Sequence, residues 1–118
     1  MQVEVERVVY LPDLQAPPEK PHPFAYFISI SNHSQETVVI RGRKWILRDD
    51  QNEVLVVEGR GVVGEMPELK AGEQFRYNSY HVIARNSKVT GAFFGVDEGG
   101  GTIRVGIPEF HLEIPIRE

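Results

Sequence analysis

The 118-residue chain is long enough for one domain spanning residues 1–118, and its 41% hydrophobic and 25% charged residues are typical of a globular protein. The sequence contains no cysteine, which excludes disulfides, thiolate metal sites and a cysteine nucleophile. Its net charge of -4 argues against general affinity for nucleic acid.

The first part of the chain alternates apolar and polar residues with the period of two that is typical of β-strands. A first strand begins at Val3 and runs to Leu11, and five prolines then make residues 12–23 an extended loop. The next strand covers residues 24–32, and we expect one of its faces to be buried. The residues on that face are Phe24, Tyr26, Ile28 and Ile30.

A longer strand runs from Thr37 to about Arg48 and changes its parity on the way. Val38 and Ile40 lie on one parity, whereas Trp45 and Leu47 lie on the other. Glycine within a strand often marks a bulge, and a bulge near Gly42 would bring both sets of residues to one face. A lone tryptophan among aliphatic residues is more often part of a core than a platform for a nucleobase, so we expect Trp45 to be buried.

The remaining strands are shorter, and no segment longer than a turn has a helical period. Four of them are predicted at residues 53–57, 75–80, 89–96 and 102–107. A final strand begins at Pro108, with Phe110, Leu112 and Ile114 facing inward. Seven or eight strands at short spacing predict an all-β fold, an antiparallel two-sheet sandwich.

Three glycines form the pattern of a dinucleotide-binding loop, but neither an amphipathic helix nor a βαβ unit follows them, as a Rossmann site requires. Two interpretations remain: the glycines serve turns or bulges, or the loop forms an anion-binding nest without a helix. Arginine binds phosphate in bidentate fashion and could supply such a nest. Alternatively, the arginines form a solvated strand face that discourages edge-to-edge pairing. The candidate anion site comprises Gly59, Arg60, Gly61, Gly64, Arg41 and Arg43.

Metal binding and catalysis have less support in the sequence. Glu109, His111 and Glu113 project from one face of the last strand, and three ligands on a flat strand make only a weak candidate metal site. The sequence contains no nucleophile elbow, no zincin motif and no P-loop lysine. We therefore predict a protein that has no cofactor and is not an enzyme.

Four segments resemble the ApaG family, in the order in which that family has them. Residues 24–32 have its F-A-Y-x-I-x-I-x-N pattern, and residues 43–49 are similar to its R-H-W-I-I-x-D strand. Residues 59–77 contain G-x-G-V-V-G-E-x-P followed by L-x-x-G-E-x-F-x-Y, and residues 107–112 have the closing I-P-x-F-x-L. Together the matches cover nearly the whole chain.

The sequence departs from the family pattern in two places. Lys44 stands where the family usually has histidine, and residues from Ser79 to Ser87 lack the expected turn rich in glycine and proline. We therefore expect a reshaped loop at Ser79–Ser87.

The resemblance implies a sandwich of the fibronectin-III or immunoglobulin type. Bacterial members are often encoded beside a diadenosine-tetraphosphate hydrolase, and eukaryotic relatives carry the domain within F-box and polymerase-interacting proteins. The eukaryotic context favours a role in protein–protein interaction.

Three functions follow as hypotheses. The first is a non-enzymatic module that binds another protein. The second is binding of phosphate, pyrophosphate or a nucleotide at the Gly59–Gly64 loop, and the third is hydrolysis of phosphoanhydrides. Because the start of the chain lacks an apolar signal-peptide core and no run of about 18 apolar residues exists, we expect a cytoplasmic protein without membrane contact.

Overall fold

The computed structural model describes residues 1–116, and in them eight antiparallel strands form two sheets. In chain order the strands are β1 (Gln2–Tyr10), β2 (His22–Ser31), β3 (Val38–Asp49), β4 (Val54–Arg60), β5 (Glu68–Leu69), β6 (Gln74–Ile83), β7 (Ser87–Asp97) and β8 (Thr102–Leu112). The first sheet has the order β1-β2-β6, and the second has the order β4-β3-β7-β8 with β5 beside β3. This architecture confirms the predicted antiparallel two-sheet sandwich. No helix within residues 1–116 has the length and apolarity to cross a membrane.

The core lies between the two sheets. Trp45 of β3 is only 2% exposed, and its ring centroid lies 4.9 Å from that of Tyr26 in β2 on the opposite sheet. Ser29, on the other face of β2, is also buried, and it lies between Glu4 of β1 and Arg76 of β6 in the sheet register. Ile114, which was predicted to face inward from the last strand, lies beyond β8 and is only partly buried against the core. The other residues that the sequence placed in the core are buried: Phe24, Tyr26, Ile28, Ile30, Trp45, Phe110 and Leu112.

The strand β3 contains the bulge that the sequence predicts. Its register against β7 shifts between Ile40 and Gly42. Because the strand is irregular at this point, Ile40 and Trp45 both enter the core despite their opposite parity. The predicted bulge near Gly42 is confirmed.

The end of the chain differs from the prediction, because β8 is one strand rather than two. Pro108 lies inside this strand and does not begin it. The register against β7 shifts between the pairs Val89–Phe110 and Gly91–Ile107, so the proline occupies an irregular stretch. Since β8 is an edge strand, the missing N–H of Pro108 can be accommodated without breaking a central ladder.

The strand β6 is longer than predicted. It continues past Tyr80 to Ile83, so the turn between β6 and β7 contains only residues 84–86. Most of the segment that was expected to be a reshaped loop, Ser79–Ser87, is therefore regular strand. The two-residue β5 is absent from the prediction, because a strand of two residues shows no alternation.

The position of β4 determines which surfaces stay open. In an immunoglobulin constant-type sandwich the fourth strand joins the sheet that contains the first two. Here β4 pairs with β3 instead, and no strand within residues 1–116 lies beside the outer edge of β6. Consequently β4 is exposed on both faces: Val54, Leu55, Val56 and Val57 are each between 37% and 49% exposed.

Candidate functional site

The glycine loop after β4 is a tight hairpin. The N–H of Val62 donates to the carbonyl oxygen of Glu65 at 2.7 Å, and the N–H of Glu65 donates back at 3.0 Å. The two residues between them, Val63 and Gly64, have φ angles of 46° and 80°. Positive φ at both central positions is typical of a type I′ turn, which suits the twist of a two-residue hairpin.

Close approach of the backbone requires glycine at position 61, whereas at position 59 the neighbouring group is the movable end of a side chain. A Cβ at Gly61, where φ is 61°, would overlap the carbonyl oxygen of Glu65. A Cβ at Gly59 would lie 2.8 Å from the guanidinium of Arg43. Gly64 has open space around it, so only its positive φ favours glycine there.

Of the three arginines in the candidate anion site, only Arg43 has a side chain that hydrogen-bonds to the loop within residues 1–116. Its Nη1 donates to the carbonyl oxygens of Arg60 at 2.7 Å and Gly61 at 3.1 Å. The side chains of Arg41 and Arg60 are exposed. The structure thus brings Arg43 to the carbonyl oxygens of Arg60 and Gly61, beside Gly59, its partner in the strand register.

Three amide groups of the loop are engaged within the domain. The N–H of Gly61 donates to the carbonyl oxygen of Arg41 at 2.7 Å. The N–H groups of Val62 and Glu65 each donate to the carbonyl oxygen of the other residue across the hairpin. An anion-binding nest needs successive N–H groups that point at the ligand. In this loop the groups that face Arg43 are carbonyl oxygens, and their hydrogen bonds with Arg43 stabilise the turn.

The candidate metal ligands lie together on the surface. The Nε2 of His111 is 3.4 Å from a carboxylate oxygen of Glu109, and its Nδ1 is 3.8 Å from one of Glu113. All three side chains are exposed. Within residues 1–116 no three histidines and carboxylates adopt an arrangement suited to a metal ion.

A group of polar aromatic residues on β2 and β6 lies between the sheets and is largely buried. The His81 ring is stacked on Tyr26 at a centroid distance of 4.8 Å, and neither His81 Nε2 nor the Tyr77 hydroxyl has a hydrogen-bond partner within residues 1–116. Burial lowers the pKa of His81 to about 4 and raises the pKa of Tyr77. His81 is therefore neutral at pH 7.

Two exposed apolar surfaces were missed by the sequence analysis. One is the tip of the hairpin, where Val63 is 51% and Met66 is 49% exposed. The other is β4, with its exposed run Val54–Val57. Four consecutive aliphatic residues without alternation resemble a strand that is buried on both faces. Their exposure depends on which sheet β4 joins, which the sequence does not indicate.

Known proteins match most of this chain in sequence. The model of the ApaG domain matches residues 12–96. Protein ApaG of Caulobacter vibrioides is 39% identical over 107 residues, which cover 90% of this chain and 76% of that protein. Protein ApaG of Brucella anthropi is 40% identical over 107 residues, covering 90% and 82% of the two chains.

A solved structure agrees with these matches. The crystal structure of an ApaA protein from Bordetella pertussis has a TM-score of 0.86 at 33% identity, and the alignment covers 97% of this chain and 93% of that one. The family match begins before β2, ends within β7 and includes the whole glycine hairpin. The chain belongs to the ApaG domain family.

Proposed function

We propose that this sandwich is a non-enzymatic module that binds another protein through the apolar tip of the glycine hairpin. The tip consists of Val63 and Met66. Both side chains are about half exposed on a short, hydrogen-bonded turn. The binding partner would offer an apolar pocket that these two side chains can enter.

The observation that carries the proposal is the backbone conformation of Val63. Its φ of 46° lies in the left-handed region, which costs an L-residue about 1–2 kcal/mol and is especially unfavourable for a β-branched one. Asparagine or glycine would adopt this conformation with less strain. Because half of the valine side chain remains in solvent, packing within the domain does not fully explain its presence. Strain of this kind is often found at binding sites.

The hairpin is suited to present such a side chain. Gly61 allows Glu65 to approach closely, and Arg43 holds the carbonyl oxygens of Arg60 and Gly61. A turn that is rigid before binding loses little conformational entropy when it binds. Met66 adds an unbranched, polarizable side chain that adapts to the shape of a partner surface.

The experiment compares affinity capture by wild-type protein, Val63→Asn and Val63→Ile from cells that naturally contain the protein. We expect a partner that wild type and Val63→Ile enrich and that Val63→Asn loses. The identified partner is then purified, and its affinity is measured by calorimetry, where Val63→Asn should weaken binding about tenfold or more. Equal binding by all three proteins would disprove the role of the tip.

Pyrophosphate or nucleotide binding at the Gly59–Gly64 loop is the second candidate function. The position of Arg43 favours it, since this guanidinium lies on the loop and has further N–H groups besides Nη1. The occupied amides of Gly61, Val62 and Glu65 favour the structural role instead. We therefore rank anion binding below protein binding.

Phosphoanhydride hydrolysis ranks third. Purified protein is expected to leave ATP, pyrophosphate and diadenosine polyphosphates intact when assayed with divalent cations present. Turnover that copurifies with the protein and disappears in Arg43→Gln would show instead that the loop is part of a catalytic site.

A further inference from the structure

The outer edge of β4 carries main-chain groups that no strand within residues 1–116 pairs. The N–H of Asp49 donates to the carbonyl oxygen of Glu53, and the N–H of Gly61 donates to that of Arg41. In an antiparallel ladder, hydrogen-bonded pairs recur at every second residue. Since β3 and β4 keep one register along their whole length, the odd-numbered residues of β4 bond to β3.

The even-numbered residues of β4 therefore direct their N–H and C=O groups away from β3. They are Val54, Val56, Glu58 and Arg60. The carbonyl oxygen of Arg60 is already held by Arg43. As far as residues 1–116 show, complete pairs of free main-chain groups thus remain at Val54, Val56 and Glu58, beside four exposed aliphatic side chains.

Natural proteins normally protect an unpaired apolar edge strand with charged residues, proline or a covering element, because such a strand is a template for pairing with another chain. On β4 none of the residues from Val54 to Val57 is charged or proline. The charged residues of β4, Glu58 and Arg60, lie only towards its C-terminal end. The edge has the character of an interface.

We propose that β4 pairs with β4 of a second copy of this chain, antiparallel across a twofold axis at Val56. The two five-stranded sheets, one from each copy, then become one continuous sheet. This interface is separate from the hairpin tip and does not depend on the proposed function. A second copy is the occupant that the edge fits, because the edge is complementary to itself in one register.

In that register every free main-chain group finds a partner. Val56 lies opposite Val56 of the second copy, and Val54 lies opposite Glu58 of the second copy. On the inner face, Leu55 lies opposite Val57 of the second copy, which gives two apolar cross-strand pairs by symmetry. Such pairs are a main source of sheet stability.

The neighbouring registers are poorer. An axis at Glu58 sets two carboxylates directly opposite each other, which is destabilising. An axis at Val57 pairs Val54 with Arg60 of the second copy, whose carbonyl oxygen Arg43 already holds. An axis at Leu55 leaves Glu58 without an opposite strand residue. In the Val56 register, Glu58 also keeps its contact with Lys44 of its own chain, 3.5 Å away.

The first test measures molar mass by size-exclusion chromatography with light scattering, from micromolar to millimolar protein. We expect the mass to rise with concentration from 13.4 kDa towards twice that value. Val56→Lys should remain monomeric at all concentrations. The matched control is Tyr80→Lys, which replaces a residue 56% exposed on β6, and it should dimerise like wild type. A wild type that stays monomeric, or a dimer that survives Val56→Lys, overturns the proposal.

The second test uses the absence of cysteine and remains informative if Val56→Lys does not fold. In the proposed register the two Val56 Cα atoms lie about 5.5 Å apart, within the range of a disulfide. Val56→Cys should therefore oxidise to a covalent dimer at least about tenfold faster than Val54→Cys, whose thiol lies opposite Glu58 of the second copy. Equal rates, or faster crosslinking of Val54→Cys, contradict the register. The Val63 capture experiment is unaffected by either result.

Discussion

The guanidinium of Arg43 lies where a side chain of residue 59 would lie, since a Cβ on Gly59 would be 2.8 Å from its Cζ. From this position Arg43 donates to the carbonyl oxygens of Arg60 and Gly61. The first glycine of the motif therefore makes room for an arginine of the same domain. This gives the glycine pattern a structural reason that requires no dinucleotide.

Replacement by alanine should lower the free energy of unfolding by different amounts at different glycines of the loop. We expect Gly61→Ala to lower the free energy of unfolding by about 2–3 kcal/mol, because its Cβ would overlap the Glu65 carbonyl at a positive φ. Gly64→Ala is the matched control: it has the same kind of φ but open space, so about 1 kcal/mol is expected. Urea denaturation measures both. Equal losses would mean that close approach to Glu65 is unimportant.

Calorimetry with pyrophosphate separates the two interpretations of the loop. We expect no heat of binding from wild-type protein at micromolar ligand, because the amides of Gly61, Val62 and Glu65 are engaged within the loop. Micromolar binding that disappears in Arg60→Ala or Arg43→Gln, and weakens as salt rises, would establish an anion site. Gly64→Ala serves as a folded control that leaves both arginines in place.

Trp45 should be the most costly core residue to truncate. It is 2% exposed and packs against Tyr26, Phe93 and Phe110, with ring centroids between 4.9 and 6.3 Å away. We expect Trp45→Ala to lose about 3–5 kcal/mol in a denaturant titration. A loss near that of an exposed residue such as Tyr80→Ala would show that the core is packed differently.

The features that the sequence predicted correctly are local ones. The alternation of β2 and the change of parity around Gly42 depend on neighbouring residues, so they could be read directly. The exposure of Val54–Val57 depends on whether β4 joins its chain neighbour β3 or the more distant β6. The left-handed conformation of Val63 could not be predicted either, because a β-branched residue opposes it.

The stability of the domain should fall in mild acid because of His81. Burial holds the pKa of the folded state at about 4, below the ordinary value of 6.5, so the unfolded chain binds more protons between these values. The contribution of neutral His81 to the free energy of unfolding is present in full above pH 6.5. It decreases as the pH falls towards 4, by about 3 kcal/mol in all.

Denaturant titrations between pH 7 and 5 test this dependence. His81→Phe keeps an aromatic ring against Tyr26 and cannot be protonated, so its stability should change much less with pH. His33→Gln, which alters an exposed histidine, should retain the wild-type slope. If His81→Phe keeps the full slope, another group is responsible.

The conformation of Val63 predicts that a polar substitution stabilises the domain. Asparagine tolerates a φ of 46° far better than valine does, so we expect Val63→Asn to raise the free energy of unfolding by about 1 kcal/mol. The loss of apolar burial is small, because the side chain is half exposed. Val63→Thr is the control, since it keeps the β-branch and removes a methyl group in favour of a hydroxyl. It should show no gain. If Val63→Asn is no more stable than Val63→Thr, the valine is not strained, and the argument for a binding role at the tip loses its basis. A gain in stability together with a loss of partner binding would show that the domain retains a strained residue for the sake of its interaction.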